Sequence, residues 1–329
     1  MKKKLGQDTD QFAPLLAQIA ALLDEAGDVP DPALLLFQRN ARASLFQLEA
    51  LARIYSSTGP KKKRFGKLKK KFKQLEDLLG QIDYFDALGK QFSGNTNIPE
   101  DTQAYFNVNK EKCARKLNKL LRNNGWLDGS QIEKINDRLD KVIWKSKAEQ
   151  HARLLSFYRT EIQRIKEFAA GEKVSFSDIE SGIHEFRRKL RWLSIYAQAL
   201  YGCTKLVAIE QEKKLLKSYI TDDVANSPYN KLPVAESERF HPLALSKYNF
   251  YALSWMIERL GILKDEGLAV LALSKAIKKT EKIKDDAEVI LRADQYLGGQ
   301  AVSIEKVLDE ANKIKDQFFK DAVLDKLVV

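Results

Sequence analysis

KKKRFGKLKKKFKQLEDLLGQIDYFDALGKQF, residues 61–92, carries two periodicities at once. Phe65, Leu68, Phe72, Leu75, Leu79 and Ile82 recur at alternating steps of three and four, the repeat of one face of an α-helix. The spacing predicts a helix from Lys61 to Phe92, about 45 Å long at 1.5 Å per residue. Superposed on that apolar seam, Lys61, Lys62, Lys63, Arg64, Lys67, Lys69, Lys70, Lys71 and Lys73 are basic, and no acidic residue stands among them. Lys63, Lys67, Lys70 and Lys71 fall along a face apart from the seam. Like charges three or four apart destabilise a helix by ~0.2–0.5 kcal/mol per pair, so folding alone would favour mixed signs.

The rest of the chain reads the same way. Its 329 residues hold only 16 Gly and 8 Pro, too few for an architecture rich in tight corners, and apolar residues return at helical spacing nearly throughout. The fold class expected is all-α. Further helices are predicted at about 10–26, 34–55, 100–123, 131–170, 179–200, 205–220, 243–279, 282–297 and 304–327. Breaks fall at GDVPDP, SSTGP, SGNTNIP and GEKVSFSD, the last offering Ser177 and Asp178 as helix N-caps. No apolar run is long enough to span a bilayer, and the lysines after Met1 lead into polar sequence, not a signal peptide. A soluble, cytoplasmic protein without membrane partners is expected. Cys113 and Cys203 are too few for a disulfide framework.

Two stretches look alike. LFQRNARASLFQLEALARIY (residues 36–55) matches GIHEFRRKLRWLSIYAQALY (residues 182–201) in the register that sets Phe37 opposite Gly182, and so Arg39 opposite His184, Arg42 opposite Arg187, Leu45 opposite Leu190 and Leu48 opposite Leu193. Later in each half, Leu79-Gly80 is answered by Leu260-Gly261. Duplication of this kind predicts two related bundles of about four helices each, with residues 1–33 an N-terminal extension, 34–173 the first bundle and 174–329 the second.

Positive charge is unevenly spread. The chain has 56 Lys and Arg against 45 Asp and Glu, a net +11, and residues 61–130 alone hold 16 basic against 8 acidic. Such a localised field attracts polyanions. A second basic rail, Lys112, Arg115, Lys116, Lys119 and Arg122, runs at steps of three and four through the helix at 100–123. A third feature, IHEFRRKLRWL (residues 183–193), puts His184, Arg187, Arg188 and Arg191 within one stripe of about 100°, away from the apolar arc of Ile183, Phe186, Leu190 and Leu193. Arginine grips phosphate oxygens through paired N–H donors, and a histidine among three cations stays neutral until an anion arrives.

IHEFRRKLRWL, its counterpart around Arg39 and Arg42, and the two leucine–glycine segments resemble the CHAD family, the conserved histidine α-helical domain. The likeness runs from about Leu34 onward and is most specific in the His184 helix. It implies two pseudo-symmetric four-helix bundles whose basic helices line a central cavity, and binding of inorganic polyphosphate. This chain departs from the pattern by carrying only His151, His184 and His241, by Arg39 at the first-half histidine position, and by Phe46 and Glu49 where basic residues are common. Lysines of the 61–73 stretch are expected to compensate.

Catalytic patterns are missing: there is no phosphate-binding G-x-x-x-x-G-K-[ST], no H-E-x-x-H and no G-x-S-x-G. Glu210, Glu212 and Lys214 spell the E-x-E-x-K of triphosphate tunnel enzymes, but Leu206, Ile209, Leu215 and Leu216 predict a helix, which would splay the two carboxylates apart. A non-enzymatic polyphosphate-binding module without metal or cofactor is therefore expected, in the cytoplasm and in association with polyphosphate granules. The residues expected to contact ligand are Arg39, Arg42, Lys63, Lys67, Lys70, Lys71, Lys112, Arg115, Lys116, Lys119, His184, Arg187, Arg188, Arg191 and Lys247. An RNA-binding helical protein and a phosphohydrolase acting on polyphosphate are the alternatives.

Overall fold

A computed structural model describes residues 11–59, 61–144, 146–170, 175–234, 241–299 and 303–329, with side chains for all of these except Lys147. The chain is predominantly helical. In order, the helices are α1 (Phe12–Gly27), α2 (Pro32–Gln38), α3 (Ala41–Thr58), α4 (Lys62–Phe92), α5 (Glu100–Asn123), α6 (Ser130–Asp140), α7 (Lys147–Ala170), α8 (Glu185–Ala199), α9 (Glu210–Leu215), α10 (Asp222–Asn226), α11 (Lys247–Thr280), α12 (Asp286–Tyr296) and α13 (Ile304–Lys320). Two four-residue strands, β1 (Thr204–Val207) and β2 (Leu243–Ser246), pair in parallel with Thr204 opposite Leu243.

Local chemistry sets the boundaries. Asp31 caps α2, accepting from the Leu34 N–H at 3.1 Å, and Pro32 follows at the first helical position, where a missing N–H does no harm. Asn40 adopts a left-handed conformation (φ 52°) that divides the predicted 34–55 helix into α2 and α3, a backbone state that asparagine tolerates better than most residues. Asp178 accepts from the Ser181 N–H at 2.6 Å, as the sequence suggested. It opens a π-helical turn, Ile179–His184, which leads directly into α8.

The long helix expected over 131–170 is two helices. After α6 the chain leaves helical geometry, and Trp144 packs edge-on against Tyr55 (5.0 Å) and near Phe65 (6.1 Å). The helix expected over 205–220 is corrected as well: its start is β1, and only Glu210–Leu215 is α-helical, followed by a 3-10 turn at Lys217–Tyr219. Helical geometry at Glu210–Lys214 keeps the E-x-E-x-K spelling out of any barrel. The last helix is shorter than the expected 304–327, ending at Lys320.

The seam of α4 is buried throughout, and α4 packs against α3 on one flank and α5 on the other. Ile183, Phe186, Leu190 and Leu193 of the second similar stretch are likewise fully buried. α1 belongs to this core: Phe12 stacks on Phe65 at 5.9 Å, and the buried Gln11 amide donates to Cys203 Sγ at 2.7 Å. The larger of two apolar clusters draws on residues from Phe12 to Leu327, and a smaller one joins Phe92 and Phe106 to Leu273 and Ile277 of α11 and Val289 of α12. α8 bridges the molecule, with α3 on one side and α11 on the other. The expected junction between halves, at residues 173 and 174, lies outside the described residues.

Candidate anion-binding site

Three of the expected arginines meet where α3 and α8 pack together. Arg42, in the first turn of α3, crosses to α4, where its Nε donates to Glu76 Oε1 at 2.9 Å and its Nη1 to Asp83 Oδ2 at 2.7 Å. The guanidinium lies on Gly80; a Cβ there would stand 2.6 Å from Nη2. Arg187, on α8, lies on Gly261 of α11 in the same manner, with a Cβ placed 3.0 Å from its Nε. Arg187 Nε donates to the backbone carbonyl of Ile257 at 2.8 Å. One helical turn further along α8, Arg191 stacks its guanidinium on the Phe46 ring of α3 at 4.6 Å, and Arg42 approaches the same ring at 5.1 Å.

Arg187 and Arg191 are half-buried, and neither has a carboxylate within salt-bridge distance among the described residues. Burial lowers the pKa of both. For Arg191 the neighbouring Arg187 and Arg42 charges push it down further, against Glu76 and Tyr229. Asp265 acts in the opposite sense on Arg187. Cations held partly out of water and close to one another are under electrostatic stress, which an arriving anion relieves.

His184 closes the π-helical turn beside this group. Its Nδ1 is buried without a partner among the described residues, and its pKa is held below the ordinary 6.5, first by burial and then by Lys264, Arg187 and Arg188, with Glu180 opposing. π-helical turns occur often at functional sites. Lys264 is a residue that the sequence reading missed. Its side chain is mostly buried, pairing with the exposed Asp265 at 2.6 Å, and no local pattern sets it apart from a solvated lysine.

Of the remaining expected residues, Arg188 stays near His184 and the others lie elsewhere. Lys63, Lys67 and Lys70 are exposed on the side of α4 away from its buried seam, and Lys112, Lys116 and Lys119 are exposed on α5. Lys71 turns toward α6 and donates to Gln131 Oε1 at 2.9 Å; burial, then Arg138 and Lys134, lowers its pKa. Arg115 pairs with Glu111 (3.5 Å), Arg188 with Glu185 (2.7 Å) and Arg39 with Glu25 (2.6 Å), while Lys247 sits over the Tyr251 ring at 5.5 Å. Among the described residues no hydrogen bond, ion pair or cation–π contact joins either lysine rail to the arginine group.

Nor do the described residues include a cluster of three or more His, Cys, Asp or Glu side chains able to hold a metal ion. Both cysteines are buried and free, and no helix among the described residues is long and apolar enough to cross a membrane. Compared with protein-family models, with curated proteins and with solved structures, the chain matches none.

Proposed function

We propose that this chain is a non-catalytic binder of inorganic polyphosphate, built as a divergent CHAD-type pair of related helical bundles, with Arg187 and Arg191 at the centre of its ligand site. One observation carries the reading: these two arginines are half-buried, close together and, among the described residues, without carboxylate partners, a cost that a bound anion would relieve. A phosphate chain supplies an acceptor at every unit for paired guanidinium N–H donors. The exposed lysines of α4 and α5 would attract it from a distance, since an uncompensated cationic surface steers anions toward it.

Two contacts support the duplication. Arg42 on Gly80 and Arg187 on Gly261 are the same arrangement at positions that the two similar stretches align. Phe46 and Arg191, also aligned with one another, touch across the α3–α8 contact, as equivalent positions on a two-fold axis do.

RNA is the second polyanion to test. Phe65 and Phe72, interleaved with the densest basic stretch, are fully buried and offer no platform for bases. Labelled long-chain polyphosphate titrated into the protein, with RNA as competitor, separates the two readings. Polyphosphate is expected to displace RNA completely and RNA to leave polyphosphate in place. Arg187→Gln with Arg191→Gln is expected to weaken polyphosphate binding by roughly tenfold or more per arginine while leaving the helical circular dichroism intact. Glutamine is preferred to glutamate because a carboxylate at 191 would face Glu76. Unchanged affinity in the double variant would refute the assignment, and steady phosphate release by the wild type would favour a phosphohydrolase.

A further inference from the structure

The two arginine–glycine arrangements are alike in backbone but opposite in charge. Counting from each glycine, the residue four before it is Glu76 in one half and Ile257 in the other, and the residue three after it is Asp83 in one and Lys264 in the other. In the first half both positions reach the arginine; in the second, only the backbone carbonyl of Ile257 does. Arg42 therefore meets two carboxylates, at 2.9 and 2.7 Å, whereas Arg187 meets a backbone carbonyl at 2.8 Å, and Arg187 and Lys264 both act on His184. Arg42 with Glu76 and Asp83 carries a net −1. Arg187 with Lys264 and its partner Asp265 carries a net +1.

We propose that Glu76 and Asp83 act as a built-in anion that occupies the first-half arginine and confines an incoming polyphosphate to Arg187, Arg191 and Lys264. The inference rests on the polyphosphate reading above and adds to it a direction and a stop. A chain of phosphates would run along the second-half cations and halt where the Arg42 guanidinium is already satisfied. Both its Nε and one terminal nitrogen are spent on α4, and a phosphate placed there would lie against the Asp83 carboxylate, which is half exposed at the edge of the site. Converting that edge from carboxylate to amide would leave Arg42 with a single ion pair and remove the repulsion.

Asp83→Asn tests this in the full chain with long-chain polyphosphate. The variant is expected to bind at least about threefold more tightly at 0.1 M salt, and its log–log salt dependence should steepen by about one, the signature of one more phosphate contact. Asp77→Asn, which removes the same charge from the same helix but pairs with Lys73 instead of Arg42, is expected to give less than half of that gain. Adding Arg42→Gln to Asp83→Asn should erase the gain, because the new contact is made by Arg42. If the wild type binds and Asp83→Asn matches either it or Asp77→Asn, the built-in anion is refuted while polyphosphate binding stands. A wild type that binds no polyphosphate overturns both.

Discussion

The guanidinium of Arg187 rests on the bare backbone of Gly261, so close that a methyl group at that position would stand 3.0 Å from Nε and 3.1 Å from Nη2. A glycine within a long helix is unfavourable by ~0.5–1 kcal/mol relative to alanine, and here that cost is offset by the room it leaves for the arginine. Gly261→Ala is expected to leave thermal stability near the wild-type value, since the helix gains what the displaced side chain loses, and to weaken polyphosphate binding several-fold. Gly80→Ala should be worse for stability, because Arg42 is tied to Glu76 and Asp83 and cannot swing aside. Gly66, also inside α4, faces open space, with no atom within 4 Å of where a methyl group would sit, so Gly66→Ala should stabilise by ~0.5–1 kcal/mol. Thermal denaturation of the three variants side by side checks the ordering.

His184 gives the site a pH dependence whose sign follows from its surroundings. Its pKa in the fold lies below the ordinary 6.5, so the unfolded chain takes up the proton first as pH falls. Its contribution to stability is therefore flat above about pH 7.5, declines as pH drops through the ordinary value, and levels off once the folded imidazole is protonated too. An anion bound against Arg187 favours the charged imidazole, so binding should tighten over the same window. Melting temperatures and affinities between about pH 5.5 and 7.5 test both trends, and His184→Gln should flatten both. Parallel curves for wild type and variant would mean that other groups are responsible.

Helices built on a strong local repeat were legible in the sequence. α4 was expected over residues 61–92 and spans Lys62–Phe92, and α5 runs over the expected 100–123. Where the reading failed, a distant contact outweighed the local pattern. Trp144 leaves the helix to pack on Tyr55 and Phe65, some eighty residues back, and Thr204–Val207 becomes a strand only because Leu243–Ser246 lies beside it. In the site, arginine spacing on α8 singled out Arg187 and Arg191. Glu76 and Lys264 escaped notice because a charged residue beside leucines reads as part of a solvated face. Their offsets from Gly80 and Gly261 were the available signal.

The lysines of α4 offer a way to separate stability from association under the proposed function. Lys63, Lys67 and Lys70 are exposed and unpaired among the described residues, and their like charges stand at helical spacing. Replacing all three with glutamine should raise the melting temperature slightly, by removing repulsion of ~0.2–0.5 kcal/mol per pair. The same variant should associate with polyphosphate more slowly, with little change in dissociation, since long-range charge acts mainly on encounter. Stopped-flow kinetics at two salt concentrations resolves the two rates. A large rise in the dissociation rate would place these lysines in direct contact with ligand.

The α3–α8 contact at the candidate site also involves a cation–π contact whose arginine is anchored by an ion pair within α3. Glu49 on α3 is 1% exposed and pairs with Arg53 at 2.7 Å, while the Arg53 guanidinium lies over the Trp192 ring of α8 at 4.1 Å. Only one Glu49 oxygen is satisfied; Oε2 is buried without a donor among the described residues. Removing Arg53 would strand the whole carboxylate in the core and strip Trp192 of its cation. Arg53→Met is therefore expected to destabilise by about 3 kcal/mol, the low end for a broken buried pair because the Arg53 side chain keeps 26% of its surface in water. Glu49→Gln added to it should recover a good part of that loss, since an amide without a partner is far cheaper to bury than a charge. Urea denaturation of the two single variants and the double gives the coupling directly. A loss below 1 kcal/mol in Arg53→Met would mean that packing of Phe46 on Trp192, and not the Arg53 contact anchored by Glu49, holds α3 against α8.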